Sequence, residues 1–185
     1  MSQYYVGIFI LICINLLAVL GLSLMTGFTG LFNFGQAGFL AVGAYTATIL
    51  TTQYSVPFVA ALAAGMVVSV LTSFLIGYPT LRLKGDYFAI ATLGFAEVVR
   101  LLVENLEKLT GGSRGIPRIP TATSLPFALG ASVIALWLVS NYVRSRHGRS
   151  CVAIREDELA AESIGVSSFR YKQIVFAINA ALAGL

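Results

Sequence analysis

The sequence predicts an all-α fold, a polytopic transmembrane helical bundle with about five to six spans in this chain. Three observations carry that expectation. Of 185 residues, 57% are hydrophobic and 11% charged, and mean hydropathy is +0.85; soluble domains carry about 25% charge. Apolar runs of about 20 residues recur along the chain, the length a helix needs to cross roughly 30 Å of hydrocarbon. One of those runs places a small residue at every fourth position, a spacing that lets helices approach closely in lipid.

The N-terminal stretch "MSQYYVGIFILICINLLAVLGLSLM" has no basic residue ahead of its apolar run, and the run is too long for a signal peptide. Tyr5–Met25 is therefore read as a retained span. The next stretch, "TGFTGLFNFGQAGFLAVGAY", has glycines at 27, 30, 35, 38 and 43 and two uncharged polar residues, Asn33 and Gln36. Such a break can expose backbone polar groups at membrane depth where they face protein or water, and transporters bind polar ligands there. It equally fits a tight turn leading into a closely packed helix. Ala37–Gln53 is short for a span and contains several threonines, and Pro57–Gly77 is uncharged. Within the latter, Ala61, Gly65, Ser69, Ser73 and Gly77 form a ridge expected to face another helix.

Tyr87–Leu106 spans only if it carries Glu97 and Arg100. Glu97, Arg100 and Glu104 follow one another at i, i+3 and i, i+4, so they share one helical face. Ionisable groups inside a span face a cavity or a partner; these two are candidates for a translocation path, with Asn33 and Gln36. An internal salt-bridge ladder is the structural alternative. The loop "LTGGSRGIP" lacks the G-x-x-x-x-G-K-[ST] spacing of a phosphate loop, as does the rest of the chain. Leu125–Val143 is a clear span with the single tryptophan, Trp137. Gln173–Leu185 is apolar but only 13 residues long, about 20 Å of helix. It is expected to be re-entrant or to continue in a longer protein, and the second is preferred.

Strict alternation puts residues 78–86 and 144–172, with two and six basic residues, on the side opposite loop 107–124, which holds Lys108, Arg114 and Arg118. The positive-inside rule then makes 144–172 cytoplasmic. The basic residues form no stripe with interleaved aromatics, so no nucleic-acid partner is expected. Cys13 and Cys151 lie far apart and His147 stands alone, which gives no disulfide framework and no metal site. No nucleophile–base pair stands out.

Four of the eight acidic residues, Glu156, Asp157, Glu158 and Glu162, fall within seven positions of "AIREDELAAESIG". Residues 153–166 have helix-forming composition, with acids favourable at the helix N-terminus, an apolar surface from Leu159, Ala160, Ala161 and Ile164, and Gly165 to end it. Anionic headgroups would repel those acids. Insertion into a groove on a protein partner accounts for the acids and the apolar face together.

The stretch "GRSCVAIREDELAAESIGVSSFRYK" resembles the cytoplasmic coupling loop of LivM-type permeases, membrane subunits of branched-chain amino acid ABC importers. "GLFNFGQAGFLAVGAY", "LRLKGDYFAIATLGFAEVVR" and "LTGGSRGI" are similar to that family in the same order. The resemblance implies a single permease transmembrane domain over 1–185, its N-terminal part, with a coupling loop at 144–172. It implies a LivH-like second permease, two cytoplasmic ATPase subunits and a periplasmic substrate-binding protein as partners, in a bacterial inner membrane. ATP is bound by the partners, this chain holding no cofactor and hydrolysing nothing. The coupling residues it implies are Arg155, Glu156, Asp157, Glu158, Ala160, Ala161, Glu162 and Gly165. Two other readings stay open: an importer of the same kind for urea, short amides or other small solutes, and an ATPase-independent transporter or channel using Glu97 and Arg100.

Overall fold

The structure, a computed structural model, describes residues 2–83, 85–116 and 123–185, which form helices and no strand. Helix α1 (Ser2–Ser23) runs on into a π-helical turn, Leu24–Phe28. It is followed by α2 (Gln36–Gln53), α3 (Phe58–Thr80) and α4 (Asp86–Asn105). A single turn, α5 (Glu107–Thr110), and a 3-10 turn, Gly112–Arg114, precede α6 (Leu125–Arg144). Then come α7 (Arg146–Glu156), α8 (Glu158–Ser163) and α9 (Ser168–Gly184). Among the described residues, α1 with its π turn, α3 and α6 are long and apolar enough to cross a membrane unaided. The other three expected spans are helices too, but α2, α4 and α9 do not reach that length and apolarity by themselves. Lys84 and Arg118, two residues of the charge count, lie outside the described residues.

The outer faces of the three apolar helices stay apolar, with Leu11, Leu71, Leu75, Val133 and Trp137 all exposed. An apolar surface of that extent suits lipid, where it needs no cover. The inner face of α3 is the ridge expected from the sequence: Ala61, Gly65, Ser69, Ser73 and Gly77 are all buried.

What the ridge meets is chiefly α9 and α2. At one point three backbones come together. A Cβ on Gly65 would lie 2.8 Å from the Gly43 carbonyl oxygen of α2, and a Cβ on Gly43 would overlap Gly184 of α9. Lower on the ridge, Ser69 Oγ donates to the Phe39 carbonyl at 3.3 Å, and Gln173 Nε2 donates to the Ser73 carbonyl at 3.2 Å. Helix α9 is the hub of the bundle. It packs on α1, α2 and α3, and Val175, Phe176, Asn179 and Ala180 are sealed from solvent. Phe176 meets Phe39 edge to face with ring centroids 5.2 Å apart, and Phe39 in turn stacks at 4.9 Å on Phe95 of α4.

Two contacts define the ends of the bundle. Arg155 Nη1 donates to the Gly27 carbonyl at 2.6 Å, so the end of α1 lies beside the 146–163 helices. Gln53 Nε2 reaches the Leu109 carbonyl at 3.4 Å, so the end of α2 lies beside the 106–116 loop at the other face. This sidedness is the one strict alternation requires.

One expected element differs. Residues 153–166 form two helices that meet at Asp157. Ser145 caps α7 by accepting from His147 N and Gly148 N, which starts that helix well before Ile154. Asp157 is extended (φ −154°, ψ 109°), and its Oδ1 accepts from Ala160 N at 3.0 Å. An Asp that satisfies the next turn's N–H favours a new start over a continued helix. Glu156 consequently closes α7, and only Asp157 and Glu158 sit at the favourable end of α8. Gly165 does end the segment as expected, with φ +89°.

Gly65→Val is expected to lower stability by about 1–3 kcal/mol through overpacking at the three-helix junction. Gly94→Val, where a Cβ meets no atom within 4 Å, is expected to leave it unchanged. Reversible unfolding in detergent micelles measures both.

Candidate functional site

Besides the Arg155–Gly27 bond, the 146–163 helices are attached to the bundle at three places. Cys151 and Ile154 of α7 are buried. Cys151 Sγ lies 3.8 Å from the Tyr142 hydroxyl, and burial pushes its thiol up, against the opposing pull of that contact, so it is an inert packing residue. Ala161 of α8 is also buried and faces inward. Third, Glu158 Oε1 accepts from Lys172 Nζ at 2.5 Å, linking α8 to the first turns of α9. The Lys172 side chain is only 10% exposed and Glu158 39% exposed, so water screens this pair less than an ordinary surface pair.

With Ala161 turned in, Leu159 and Ile164 point out, each 76% exposed, with Ala160, Glu162 and Gly165 exposed beside them. The expected apolar surface is therefore divided: Ala161 anchors it, while Leu159 on α8 and Ile164 just past its end stand free beside Glu162. Glu156 and Asp157 are exposed at the junction of the two helices. Arg155, placed in the sequence with the outward residues, is engaged by its own chain. Besides Gly27 it pairs with Glu156, Nε to Oε1 at 3.1 Å and Nη2 to Oε1 at 2.5 Å.

At the opposite end, α2, α4 and the 112–115 turn enclose a cleft of about 980 Å³. Glu97, Arg100 and Glu104 line it together, joined by Ala41, Tyr45, Leu93 and Arg114. The ladder forms as the spacing requires. Arg100 Nε donates to Glu97 Oε2 at 3.0 Å, and Arg100 Nη1 to Glu104 Oε1 at 3.3 Å. All three side chains are roughly half exposed, so the ladder is a charged wall of an apolar cleft and is not a sealed core pair.

Asn33 and Gln36 lie elsewhere. After the π turn the chain runs without helix from Gly30 to Gly35, with Leu31, Asn33 and Gly35 buried and Phe32 and Phe34 exposed. It climbs back alongside the bundle. Gln36 Nε2 donates to the Ala18 carbonyl at 3.1 Å, ten residues above Phe28 and thus about 15 Å along α1. Asn33 Oδ1 accepts from Gly35 N at 2.9 Å, and Phe34 N donates to Thr92 Oγ1 of α4 at 3.2 Å. Irregular backbone at membrane depth is tolerable where protein satisfies it, and these side chains do that. Asn33 bonds within the break and Gln36 ties its end to α1, each keeping one buried polar atom, Asn33 Nδ2 and Gln36 Oε1, without a hydrogen-bond partner among the described residues; neither lines the cleft with Glu97 and Arg100.

Thr92 and Lys172 carry much of this geometry, and sequence reasoning assigned neither a role. Thr92 looks like any threonine in an apolar run. Lys172 showed one sign, a cation directly before an apolar helix, but its partner lies fourteen residues away. Among the described residues no group of three His, Cys, Asp or Glu could hold a metal ion.

A family model described as the branched-chain amino acid transport system / permease component matches residues 4–185. The chain belongs to this permease family. Two curated relatives carry the name high-affinity branched-chain amino acid transport system permease protein LivM, from Salmonella typhimurium strain LT2 and Escherichia coli strain K12. Each is 36% identical over 217 aligned residues, covering 99% of this chain and 51% of the relative. The chain thus spans about half the length of the curated relatives it matches. No solved structure matches it. Permease membership accounts for the apolar outer faces and places the chain in a membrane.

The Glu158–Lys172 pair yields a charge-swap test. Glu158→Lys or Lys172→Glu alone is expected to cost about 1–3 kcal/mol, between the values for exposed and buried pairs. The double exchange is expected to restore most of it. Thermal unfolding of the three variants in detergent reads this out.

Proposed function

We propose that this chain forms part of a membrane-spanning permease subunit of an ATP-driven importer for branched-chain, hydrophobic amino acids, in a bacterial inner membrane. Residues 1–185 belong to one transmembrane domain, and 144–172 form its cytoplasmic coupling loop. A second, LivH-like permease completes the membrane unit. Two cytoplasmic ATPase subunits bind and hydrolyse ATP, and a periplasmic binding protein delivers the substrate.

In this reading α8 seats in a groove of an ATPase subunit. Leu159, Ala160, Glu162, Ile164 and Gly165 face the partner, with Glu156 and Asp157 at the edge. Glu158 and Ala161 hold the helix in place from behind, while Arg155 anchors the end of α7 to the Gly27 carbonyl. Glu97 and Arg100 line the substrate path from the opposite face, while Asn33 and Gln36 support the break beside it. Supporting this reading, together with the family, is one observation: two large aliphatic side chains, Leu159 on α8 and Ile164 at its C-cap, stand three-quarters exposed on a segment that its own chain pins through Ala161 and Glu158. Burying a leucine or isoleucine yields about 1.5–3 kcal/mol, enough for two such residues to dominate a small contact. The acids around them disfavour an anionic membrane surface and suit a partner with basic groups at the rim.

Leu159→Asp and Ile164→Asp are each expected to lower co-purification of the ATPase subunit at least about tenfold, with membrane insertion unchanged. Co-purification at the wild-type level would count against the docking role.

A further inference from the structure

The coupling reading leaves open how movement of α8 reaches the cleft at the other face. The contacts of Arg155 supply a route. Its Nη1 donates to the carbonyl of Gly27 in the π-helical turn that ends α1. Carbonyls in a last helical turn have no partner within the helix, so Gly27 offers an acceptor that only an outside donor can satisfy. Three residues on, a Cβ at Gly30 would meet Arg155 Cγ at 3.0 Å, and Gly30 holds φ +70°. A side chain there would be strained by the backbone and would press on the arginine stem as well. The turn is thus shaped around Arg155.

Gly30 begins the non-helical segment, and the far end of that segment is fixed to α4. Phe34 N donates to Thr92 Oγ1. At Gly35 the backbones are so close that a Cβ would lie 2.8 Å from the Thr92 carbonyl oxygen and 3.2 Å from Phe95 Cδ1. Leu93, Ala96, Glu97 and Arg100, within the next two turns of α4, line the cleft. The segment is thus held at both ends, to the π turn below and to α4 above.

We infer that Arg155 is a positioning residue that ties the loop bearing α8 to the π turn and the non-helical segment 30–35, so that displacement of the loop moves the wall of the cleft. The inference rests on the permease reading and adds to it a transmission path inside this chain. Arg155 acts through its own backbone partner and not through the ATPase. Coupling of this kind travels through packed, hydrogen-bonded elements; here the segment is joined to the π turn by Leu31 N on the Met25 carbonyl and Thr26 Oγ1 on the Leu31 carbonyl, and Arg155 joins that turn to the loop.

The test uses the complete importer, with the full-length permease and its partner subunits reconstituted in vesicles, and compares leucine uptake per ATP hydrolysed. Arg155→Ala is expected to retain ATPase subunits and ATP hydrolysis while uptake per ATP falls about tenfold, the scale of a lost charge-assisted hydrogen bond. Arg155→Lys, which keeps a charged donor, is expected to recover part of the loss. Gly30→Ala, which keeps the arginine but pushes its side chain off the Gly27 carbonyl, is expected to uncouple in the same way, and it carries the test should Arg155→Ala fail to fold. Loss of the ATPase subunits from Arg155→Ala would overturn the inference by placing Arg155 at the partner interface. Unchanged uptake per ATP in both Arg155→Ala and Gly30→Ala would overturn it as well. A wild-type complex with no ATP-driven leucine uptake would overturn the permease reading itself, and is distinguished because it appears before any substitution.

Discussion

Helices surrounded by lipid gain little from burying apolar side chains against one another, because the solvent is already apolar. They associate where backbones can come close. In this chain that happens where Gly43, Gly65 and Gly184 meet, and most of the remaining geometry depends on it. The contact brings α2, α3 and α9 together at backbone distance. The seal it makes leaves Phe39, Phe88 and Phe176 to fill the space toward α4. Because α9 is locked there, its first turns are fixed too, and Lys172 lies in those turns.

That position links packing to function. Helix α8 is six residues long and could not persist alone in water, where helices shorter than about 12–15 residues are marginal. It is held by an Asp157 cap at its start, by Ala161 against the bundle and by Glu158 on Lys172. All three constraints act on one side of the helix. Leu159 and Glu162 are left exposed on a fixed helix, which lowers the ordering cost for anything that binds them. At the other face the Glu97–Arg100–Glu104 ladder is likewise presented by a helix fixed through Thr92 and Phe95. The two faces are joined by the non-helical segment between α1 and α2.

How much of this was legible in the sequence depends on how local the cause is. Spans written as uninterrupted apolar runs were legible to within a few residues, as was the small-residue ridge, since a period of four survives folding unchanged. The Glu97–Arg100–Glu104 ladder was legible for the same reason. The place of Gln173–Leu185 was not: read by length it is too short to cross, yet it is the most enclosed helix, because enclosure comes from three other helices whose positions no window of sequence contains. The split of residues 153–166 at Asp157 was half legible. An Asp before helix-forming residues is a cap signal, but the acids around it looked like one N-terminal cluster. Arg155 shared that cluster's appearance, and only its distant partner Gly27 distinguishes it from the outward residues. Asn33 and Gln36 read as polar groups available to a ligand; folding commits one polar atom of each, Asn33 Oδ1 to Gly35 N and Gln36 Nε2 to the Ala18 carbonyl, which no window of sequence reveals.

The central claim is that α8 presents one defined face to an ATP-hydrolysing partner. Site-specific photocrosslinking in the assembled complex tests it most directly, with a photoreactive residue placed in turn at positions 159, 161 and 164. Adducts with the ATPase subunit from 159 and 164, and none from the buried position 161, are the predicted result. Equal labelling from all three positions, or adducts with lipid alone, would contradict it.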